Sequence, residues 1–417
     1  MTDLSPSGLP RAARGAAQER LVIVGSGMAG LKLVEELQSS CPGRYAITMI
    51  GAEPQAAYNR VLLSSMLAGE ASAADIALRG AEWYAANGVT LMTGVTATRI
   101  ADEGRAVALC DGRIIACDRI VLATGADPIR LPVAGADLAG VVTFRTAADV
   151  AVMRSHAAGS APAVVIGGGL LGIEAAYGLA RAGVPVTLLH VMDRLMERQL
   201  DAEGASLLAS ALEGKGIRLR LSTQTKAIRG HDRVEAIETT ADEIVPCGLV
   251  VMAVGVRSRT ALAASAGIAT GRGILVDDQM QTSLRGVYAL GDCAEHRGIC
   301  YGLVEPAYAQ ARVLAAHLAG ARASYGGSVL ATNLKVSGVP VFSAGDFEGA
   351  GAETIVMRDE GLRSYRKLVL RDGRLAGAVL VGDATDALWY ADLIAAGTSI
   401  ARFRHDLAFG RAYAEAA

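Results

Sequence analysis

The chain has 417 residues, of which 52% are hydrophobic and 20% are charged; this is enough for two or three domains with full cores and excludes a disordered chain. The 40 basic residues nearly balance the 42 acidic ones, so no overall basic charge points to nucleic acid. The six cysteines are scattered without a C-x-x-C pair, which excludes a disulfide framework and a paired-cysteine zinc site and fits a reducing cytoplasm.

The first residues of the chain, 1–18, mix Ser, Pro, Ala and Arg without periodicity. We expect a disordered tail that carries no export signal. The longest apolar stretch, around residues 161–183, contains Glu174, Arg181 and several glycines. It is therefore expected to form a buried strand, turn and helix, and no membrane span.

A glycine motif follows the first apolar run. Residues 21–24 are mostly β-branched, then come Gly25-x-Gly27-x-x-Gly30 and apolar residues at helical spacing. Gly25 permits a tight turn, Gly27 lets a pyrophosphate approach the backbone, and Gly30 lets helix and strand pack closely. The next strand ends at Glu53, where a carboxylate can accept hydrogen bonds from ribose hydroxyls. Such glycines alone could be an ordinary turn; together with strand, helix and acid they favour a dinucleotide site.

The motif occurs a second time, with a strand over residues 164–166, Gly167-x-Gly169-x-x-Gly172 and a helix over residues 173–182. Here the next strand ends at His190, where an acid would select an unphosphorylated ribose. Arg194 could meet either a 2′-phosphate or solvent, so the residues predict only modest discrimination between the two nicotinamide coenzymes. Two such units imply two dinucleotides on one chain.

Three shorter fragments also end apolar runs. They are Ala123-Thr124-Gly125 after residues 118–122, a similar run that ends near Gly255, and Gly291-Asp292 after residues 286–290. An Asp at a strand end beside a helix can hydrogen-bond a polyol hydroxyl, although Gly-Asp by itself is usually a turn.

In this order the five motifs resemble those of the two-dinucleotide flavoprotein reductases, over residues 19–325. The stretches AYNRVLLSSMLAGE, MDRLMERQLD and LKVSGVPVFSAGDFEG are similar to the flavoprotein part of assimilatory NAD(P)H nitrite reductase large subunits, and related rubredoxin reductases share some of them. The resemblance implies an α/β fold of two Rossmann-like dinucleotide-binding domains, one for FAD and one for NAD(P), with a small C-terminal α+β domain.

The resemblance also implies domain boundaries. The FAD-binding domain is expected at residues 19–145 and 255–325, the NAD(P)-binding domain at 146–254 and the C-terminal domain at 326–417. The family places this last domain on the flavin side, where it often forms a dimer interface or docks the electron acceptor. In the sequence, Arg371-Asp372-Gly373 predicts a hairpin there and residues 386–397 predict an amphipathic helix.

Site residues follow from the motifs and the resemblance together. FAD is expected to contact Gly25, Ser26, Gly27, Met28, Ala29, Gly30, Glu53, Arg60, Ala123, Thr124, Gly125, Gly291 and Asp292. NAD(P)H is expected to contact Gly167, Gly169, Leu170, Leu171, Gly172, Glu174, His190 and Gly255. Glu174 is expected to position the nicotinamide without covalent chemistry. Arg60 is expected near the flavin phosphates or, alternatively, in a solvent-facing ion pair.

The chain lacks several reactive residues of the family, and their absence limits the reactions that we expect of it. The chain has no C-x4-C dithiol, and Ser64 and Ser65 stand in a segment where relatives carry a reactive cysteine or a lysine that pairs with Glu174. A serine offers neither a thiolate nor a disulfide, so thiol-dependent reduction is disfavoured. Cys293 and Cys300 flank His296 without a second ligand pair; a structural role is favoured, and no metal is expected.

We therefore expect a cytoplasmic NAD(P)H-dependent oxidoreductase that passes electrons through FAD to a separate protein. No cysteine follows Cys300, so no cysteine-ligated cluster is expected in the last part of this chain. The acceptor is expected to be a component of nitrite or nitrate reduction; rubredoxin or a ferredoxin is the alternative. A flavin-binding sensing protein is the alternative from another class. The resemblance also allows a homodimer.

Overall fold

The computed structural model describes residues 18–159, 161–334 and 338–415. The expected disordered tail over residues 1–18 lies outside this part of the chain except for its last residue. Three bodies of secondary structure follow one another, and the chain returns to the first after completing the second.

The first body is an α/β unit built around a buried parallel sheet. Its first strands are β1 (Glu19–Val24), β2 (Tyr45–Ile50), β3 (Val89–Met92), β4 (Ala97–Ala101), β5 (Ala106–Leu109), β6 (Ile114–Ala116), β7 (Arg119–Leu122) and β8 (Ala126–Pro128). Its first helices are α1 (Met28–Ser40), α2 (Leu63–Leu67), α3 (Ala73–Ile76) and α4 (Ala81–Ala86). Parallel pairing runs in the order β7-β1-β2-β3. Residues 21–24 are buried on both faces of this sheet, which explains their unbroken apolar run.

The second body repeats this architecture. Its strands are β9 (Val141–Thr143), β10 (Ala163–Ile166), β11 (Val186–Leu189), β12 (Arg218–Arg220), β13 (Thr225–Gly230), β14 (Val234–Thr239), β15 (Ile244–Pro246) and β16 (Leu249–Met252). Its helices are α5 (Ala147–Ala157), α6 (Leu170–Arg181) and α7 (Ala202–Glu213). The parallel sheet has the order β12-β11-β10-β16-β9. Because β9 pairs with β16, the predicted boundary at residue 146 falls after a strand that already belongs to the second sheet.

The chain then returns to the first body with β17 (Val256–Ser258), α8 (Ala261–Ser265), β18 (Ile274–Val276), β19 (Val287–Ala289), β20 (Ala294–His296) and α9 (Val304–Leu318). Strand β19 pairs in parallel with β7 and completes the first sheet. Helix α9 packs on α1. The first unit is therefore discontinuous in the chain.

The third body is an antiparallel sheet with short helices. Its elements are β21 (Ala331–Leu334), β22 (Val341–Gly345), β23 (Glu353–Asp359), β24 (Ser364–Arg371), β25 (Arg374–Val381), α10 (Ala387–Ala396) and α11 (Arg411–Ala414). The hairpin predicted at residues 371–373 joins β24 and β25. Asp372 and Gly373 both have positive φ, 49° and 69°, as a two-residue turn between twisted strands requires.

The third body packs on the second. One apolar cluster joins Val341, Tyr365 and Val379 of the C-terminal sheet to Leu200 and Leu208 of the second unit. Polar contacts reinforce this packing: Tyr365 Oη and Lys367 Nζ donate to the Asp201 carboxylate at 2.7 and 2.9 Å. The main packing face of the third body therefore belongs to the second unit, and its expected placement on the flavin side stays a prediction.

A segment of the first unit enters the same cluster. Tyr58, Leu63, Leu67 and Ile76 are buried there with α5 and α6 of the second unit. A Cβ at Gly178 of α6 would lie 2.8 Å from the Leu67 side chain. The segment of residues 58–76, which contains α2 and α3, thus packs against the second Rossmann unit and joins the two units. In the described part of the chain, no helix is long and apolar enough to span a bilayer.

Candidate functional site

The first glycine turn lies between β1 and α1. Gly25 has a φ of +121°, and a Cβ there would lie 2.0 Å from the carbonyl oxygen of Ala123, so only glycine fits. A Cβ at Gly30 would lie 2.3 Å from the Gly25 carbonyl oxygen, so α1 packs directly on the turn. A Cβ at Gly27 would meet no described atom within 4 Å. The turn therefore opens on free space.

Helix α1 begins at this space without a side-chain cap. Gly27 is its N-cap residue, and no side chain accepts a hydrogen bond from the first turn. The first N–H groups of a helix lack intrahelical partners, and the N-terminus carries about half a positive charge. Free donors beside an open glycine turn fit a pyrophosphate, so these residues fit a bound dinucleotide.

The other glycine-rich segments of the first unit meet this turn at the carboxyl end of the sheet. A Cβ at Gly291 would lie 3.0 Å from Cβ of Ala29, and one at Gly51 would lie 1.9 Å from Oγ of Ser26. Thr124 Oγ1 donates to the carbonyl oxygen of Arg259 at 3.1 Å. The structure brings these predicted residues to one edge: Gly25, Ser26, Gly27, Met28, Ala29, Gly30, Ala123, Thr124, Gly125, Gly291 and Asp292.

Both predicted acids of the first unit are paired with arginines. Glu53 accepts a hydrogen bond from Tyr58 Oη at 2.6 Å and forms an ion pair with Arg60. Asp292 forms an ion pair with Arg145 at 2.5 Å. The Glu53 and Arg60 side chains are 29% and 28% exposed, so this ion pair is half-buried rather than solvent-facing. The expected contact of Arg60 with the flavin phosphates stays a prediction.

Arg145 is a site residue that the sequence reasoning missed. It lies between β9 and α5, directly before the N-cap Thr146. Thr146 and Asp149 form a capping box, and the Asp149 carboxylate accepts from the Arg145 N–H at 2.9 Å. The capping-box pattern Thr-x-x-Asp was visible in the sequence. It marks the helix start but gives no sign that the preceding arginine reaches Asp292.

The second glycine turn, between β10 and α6, repeats the geometry of the first. Gly167 has a φ of +119°, and a Cβ there would lie 2.3 Å from the carbonyl oxygen of Ala253. A Cβ at Gly172 would lie 1.9 Å from the Gly167 carbonyl oxygen, whereas one at Gly169 would meet nothing within 4 Å. Gly169 caps α6 without a side-chain hydrogen bond. Leu170 and Leu171 are the first residues of this helix. Because the turn is open and the helix N-terminus is uncapped, a second pyrophosphate fits here.

His190 follows β11 and is 7% exposed. Its Nδ1 accepts a hydrogen bond from the Gly168 N–H at 3.0 Å, and its Nε2 lies 3.1 Å from Oε2 of Glu197. Both ring nitrogens are therefore engaged within the protein. Gly255, the last predicted contact of this unit, has a φ of +110° in the turn after β16.

Glu174 lies on α6 and is 6% exposed. Burial raises the pKa of its carboxyl to about 7. Among the described residues, no hydrogen bond or ion pair reaches this carboxylate. Ser64 on the neighbouring α2 donates from Oγ to the carbonyl oxygen of Val61 at 3.3 Å. Ser65 stands at the family's lysine position, and no hydrogen bond joins its side chain to Glu174 among the described residues, so the ion pair of the family has no substitute here.

The cysteines do not form a second redox site in the described chain. All six are free, and no group of three or more His, Cys, Asp or Glu among the described residues is placed to hold a metal ion. Cys293 is fully buried and its thiol donates to the carbonyl oxygen of Leu122 at 3.3 Å. Burial raises the pKa of this thiol, which opposes thiolate chemistry.

Comparisons with known proteins agree with this geometry. A model of the C-terminal domain of rubredoxin NAD+ reductases matches residues 331–398. The chain is 46% identical over 371 residues to the nitrite reductase (NAD(P)H) of Bacillus subtilis (strain 168), which covers 88% of this chain and 46% of that protein. It is 41% identical over 371 residues to the assimilatory nitrate reductase electron transfer subunit of the same organism, covering 88% and 48%.

The chain thus spans about half the length of these curated relatives. The fold is that of a putidaredoxin reductase solved in covalent complex with putidaredoxin, with a TM-score of 0.85, 28% identity and coverage of 92% and 94% of the two chains. These likenesses confirm the expected α/β fold and the resemblance to flavoprotein reductases. The model that describes the pyridine nucleotide-disulphide oxidoreductases matches residues 19–323, and the chain belongs to this family.

Proposed function

We propose that the chain is an FAD-dependent NAD(P)H oxidoreductase that passes electrons from NAD(P)H through FAD to a separate redox protein of nitrite or nitrate assimilation. One observation carries this proposal. Two glycine turns on one chain, at Gly27 and Gly169, each open on free space at an uncapped helix N-terminus. An enzyme with a single dinucleotide needs only one such turn.

The chain's own residues hold and orient the two dinucleotides. In the FAD unit, Glu53 and Asp292 accept hydrogen bonds from cofactor hydroxyls, and Arg60 and Arg145 hold these two carboxylates in ion pairs. Hydride transfer is the chemistry that the bound nicotinamide and flavin supply. The protein contributes alignment of the two rings and exclusion of water. Glu174, with a pKa of about 7, can donate to or accept from the nicotinamide amide near neutral pH.

The acceptor is proposed from the relatives. The two Bacillus subtilis proteins, named for nitrite and nitrate reduction, favour an acceptor of nitrogen assimilation. The C-terminal match to rubredoxin NAD+ reductases favours the second candidate, a rubredoxin or ferredoxin. Six free thiols suit a reducing compartment, so we place the reaction in the cytoplasm.

The test is anaerobic reduction of the purified yellow protein. NADH or NADPH should bleach the flavin within the time of one turnover, and the reduced protein should then pass electrons to a siroheme nitrite reductase component. Rapid bleaching with transfer only to rubredoxin or ferredoxin would select the second acceptor. Slow, sub-stoichiometric bleaching would overturn the reductase proposal in favour of a flavin-binding sensor.

A further inference from the structure

The loop from His190 to Leu200 folds back over the second glycine turn. Both backbone polar groups of Gly168 bond to it: the Gly168 N–H donates to Nδ1 of His190 at 3.0 Å, and its carbonyl oxygen accepts from the Met196 N–H at 2.9 Å. A Cβ at Gly168 would lie 2.6 Å from the His190 ring. The loop and the phosphate-binding turn are therefore one packed unit.

The hydrogen bonds fix the proton on the imidazole. A backbone N–H can only donate, so Nδ1 of His190 is the acceptor and carries no proton. A neutral imidazole has one N–H, which is then at Nε2 and points at Oε2 of Glu197, 3.1 Å away. His190 thus holds the Glu197 carboxylate beside the end of β11.

Glu197 is also held by its neighbours in the chain. Leu195, Met196 and Leu200 are fully buried, so the loop is anchored in the core on both sides of Glu197. Met196 has a φ of +50°, a conformation that a non-glycine residue keeps only when its surroundings enforce it. The Glu197 side chain itself is 22% exposed, which leaves its carboxylate accessible to a ligand.

The neighbouring arginines do not neutralise the negative charge of the Glu197 carboxylate. Arg198 Nε lies 3.9 Å from Oε1 of Glu197, but the Arg198 side chain is 86% exposed, and such a pair is strongly screened. The Arg194 guanidinium is turned toward Asp193 and Glu348, at 3.4 and 3.7 Å. Arg194 Nε is buried and has no hydrogen-bond partner among the described residues, so Arg194 keeps one free donor for a 2′-phosphate, against which the charge of Glu197 acts.

We propose that Glu197, positioned by its hydrogen bond to His190, binds the adenosine ribose of the coenzyme and makes the chain prefer NADH. This inference rests on the proposed NAD(P)H site. In Rossmann units, an acid that directly follows the second strand accepts bonds from the ribose hydroxyls of NAD. Here His190 occupies that position and Glu197 supplies the carboxylate. The carboxylate accepts a hydrogen bond from a 2′-hydroxyl and repels a 2′-phosphate.

The test measures binding without turnover. ADP-ribose and 2′-phospho-ADP-ribose are titrated calorimetrically into the flavin-loaded protein, its Glu197→Gln variant and a control, Glu213→Gln. The control removes one negative charge from an exposed position of the same unit, on α7. We expect wild type to bind ADP-ribose at least about tenfold more tightly than 2′-phospho-ADP-ribose, and Glu197→Gln to reduce that preference at least about tenfold. Glu213→Gln should change the preference less than about threefold, because its charge is screened by solvent.

The preference, rather than either affinity, is the readout, because a misfolded loop would weaken both ligands together. An unchanged preference in Glu197→Gln, or an equal change in Glu213→Gln, would overturn the role of Glu197 and leave the coenzyme site standing. If ADP-ribose binds neither wild type nor Gly169→Val, or binds both equally, the proposed coenzyme site itself fails and this inference fails with it.

Discussion

Arg60 donates a hydrogen bond from Nη1 to the carbonyl oxygen of Arg145 at 2.9 Å. This bond joins two arginine–carboxylate pairs, Arg60 with Glu53 and Arg145 with Asp292, into one chain of polar contacts at the site proposed for FAD. The residues come from both Rossmann units, because Arg145 lies just before α5. Both units therefore contribute side chains to this proposed site.

Replacement of Arg145 should weaken FAD binding. In Arg145→Gln, Asp292 keeps its charge without a cationic partner, and a dinucleotide that carries negative phosphates meets an uncompensated carboxylate. We expect the Kd of the apoprotein for FAD to rise at least about tenfold, measured by fluorescence quenching of the flavin. Arg113→Gln is the control, because Arg113 pairs with Asp111 at an exposed position of the same unit. Equal affinities of Arg145→Gln and wild type would show that Arg145 does not serve the cofactor.

Gly27→Val should yield a folded protein without flavin. A Cβ at Gly27 meets no described atom within 4 Å, so the added side chain enters the space proposed for the pyrophosphate without striking the protein. The measurement is the absorbance ratio of flavin to protein after purification, with circular dichroism to confirm folding. A yellow variant with full flavin content would disprove the assignment of the first unit to FAD.

Gly169→Val should separate the two cofactor sites. The same open space at Gly169 predicts that this variant keeps its flavin but is not reduced by NADH, while dithionite still bleaches it. Stopped-flow absorbance under anaerobic conditions measures both reactions. Loss of FAD with intact coenzyme binding would mean that the two units have the opposite assignments.

Glu174→Gln should change how stability depends on pH. The pKa of Glu174 is raised by burial to about 7, so the folded state favours the protonated carboxyl. This contribution to stability is complete below the unfolded pKa, near 4.5, and is lost as pH rises through about 7. The free energy of unfolding of the variant, relative to that of wild type, should therefore rise by up to about 3 kcal/mol between about pH 5 and about pH 8.

Urea unfolding of the apoproteins at both pH values measures this difference. Glu213→Gln, at an exposed position of the same unit, should follow wild type at both. A gain for Glu174→Gln that is the same at both pH values would contradict the buried-carboxyl explanation.

The cysteines should be dispensable for electron transfer. Replacing all six by Ser or Ala should leave NADH-driven dye reduction within a few-fold in a folded, flavin-loaded protein, because no thiol is proposed to react. Cys117, Cys247 and Cys293 are buried, so each replacement there should cost about 1–2 kcal/mol of stability through lost packing. Cys110 is exposed and should cost little. Catalytic collapse in a stable, yellow variant would overturn the thiol-free mechanism.

The sequence predicted those parts of the site that depend on local chain geometry. Gly25 and Gly167 must have positive φ, and Gly27 and Gly169 must leave space, because strand, turn and helix follow one another directly. The discontinuous first unit was expected from the family resemblance.

The missed features depend on contacts between distant segments. Arg145 reaches Asp292 across 147 positions of the chain, and no local pattern encodes this. Strand β9 has three residues, too few for a periodicity, so its place in the second sheet was not visible. The contacts of Tyr365 and Lys367 with Asp201 form only when the folded C-terminal sheet packs against the folded second unit.

That packing has a consequence for how such chains can be recombined in evolution or by design. The C-terminal sheet shares a continuous apolar cluster with the second unit and with the segment around α2. A chimera joined near residue 326 would bring a foreign sheet against Leu200 and Leu208 and would leave Asp201 without its tyrosine and lysine donors. The second unit and the last unit should therefore be inherited together.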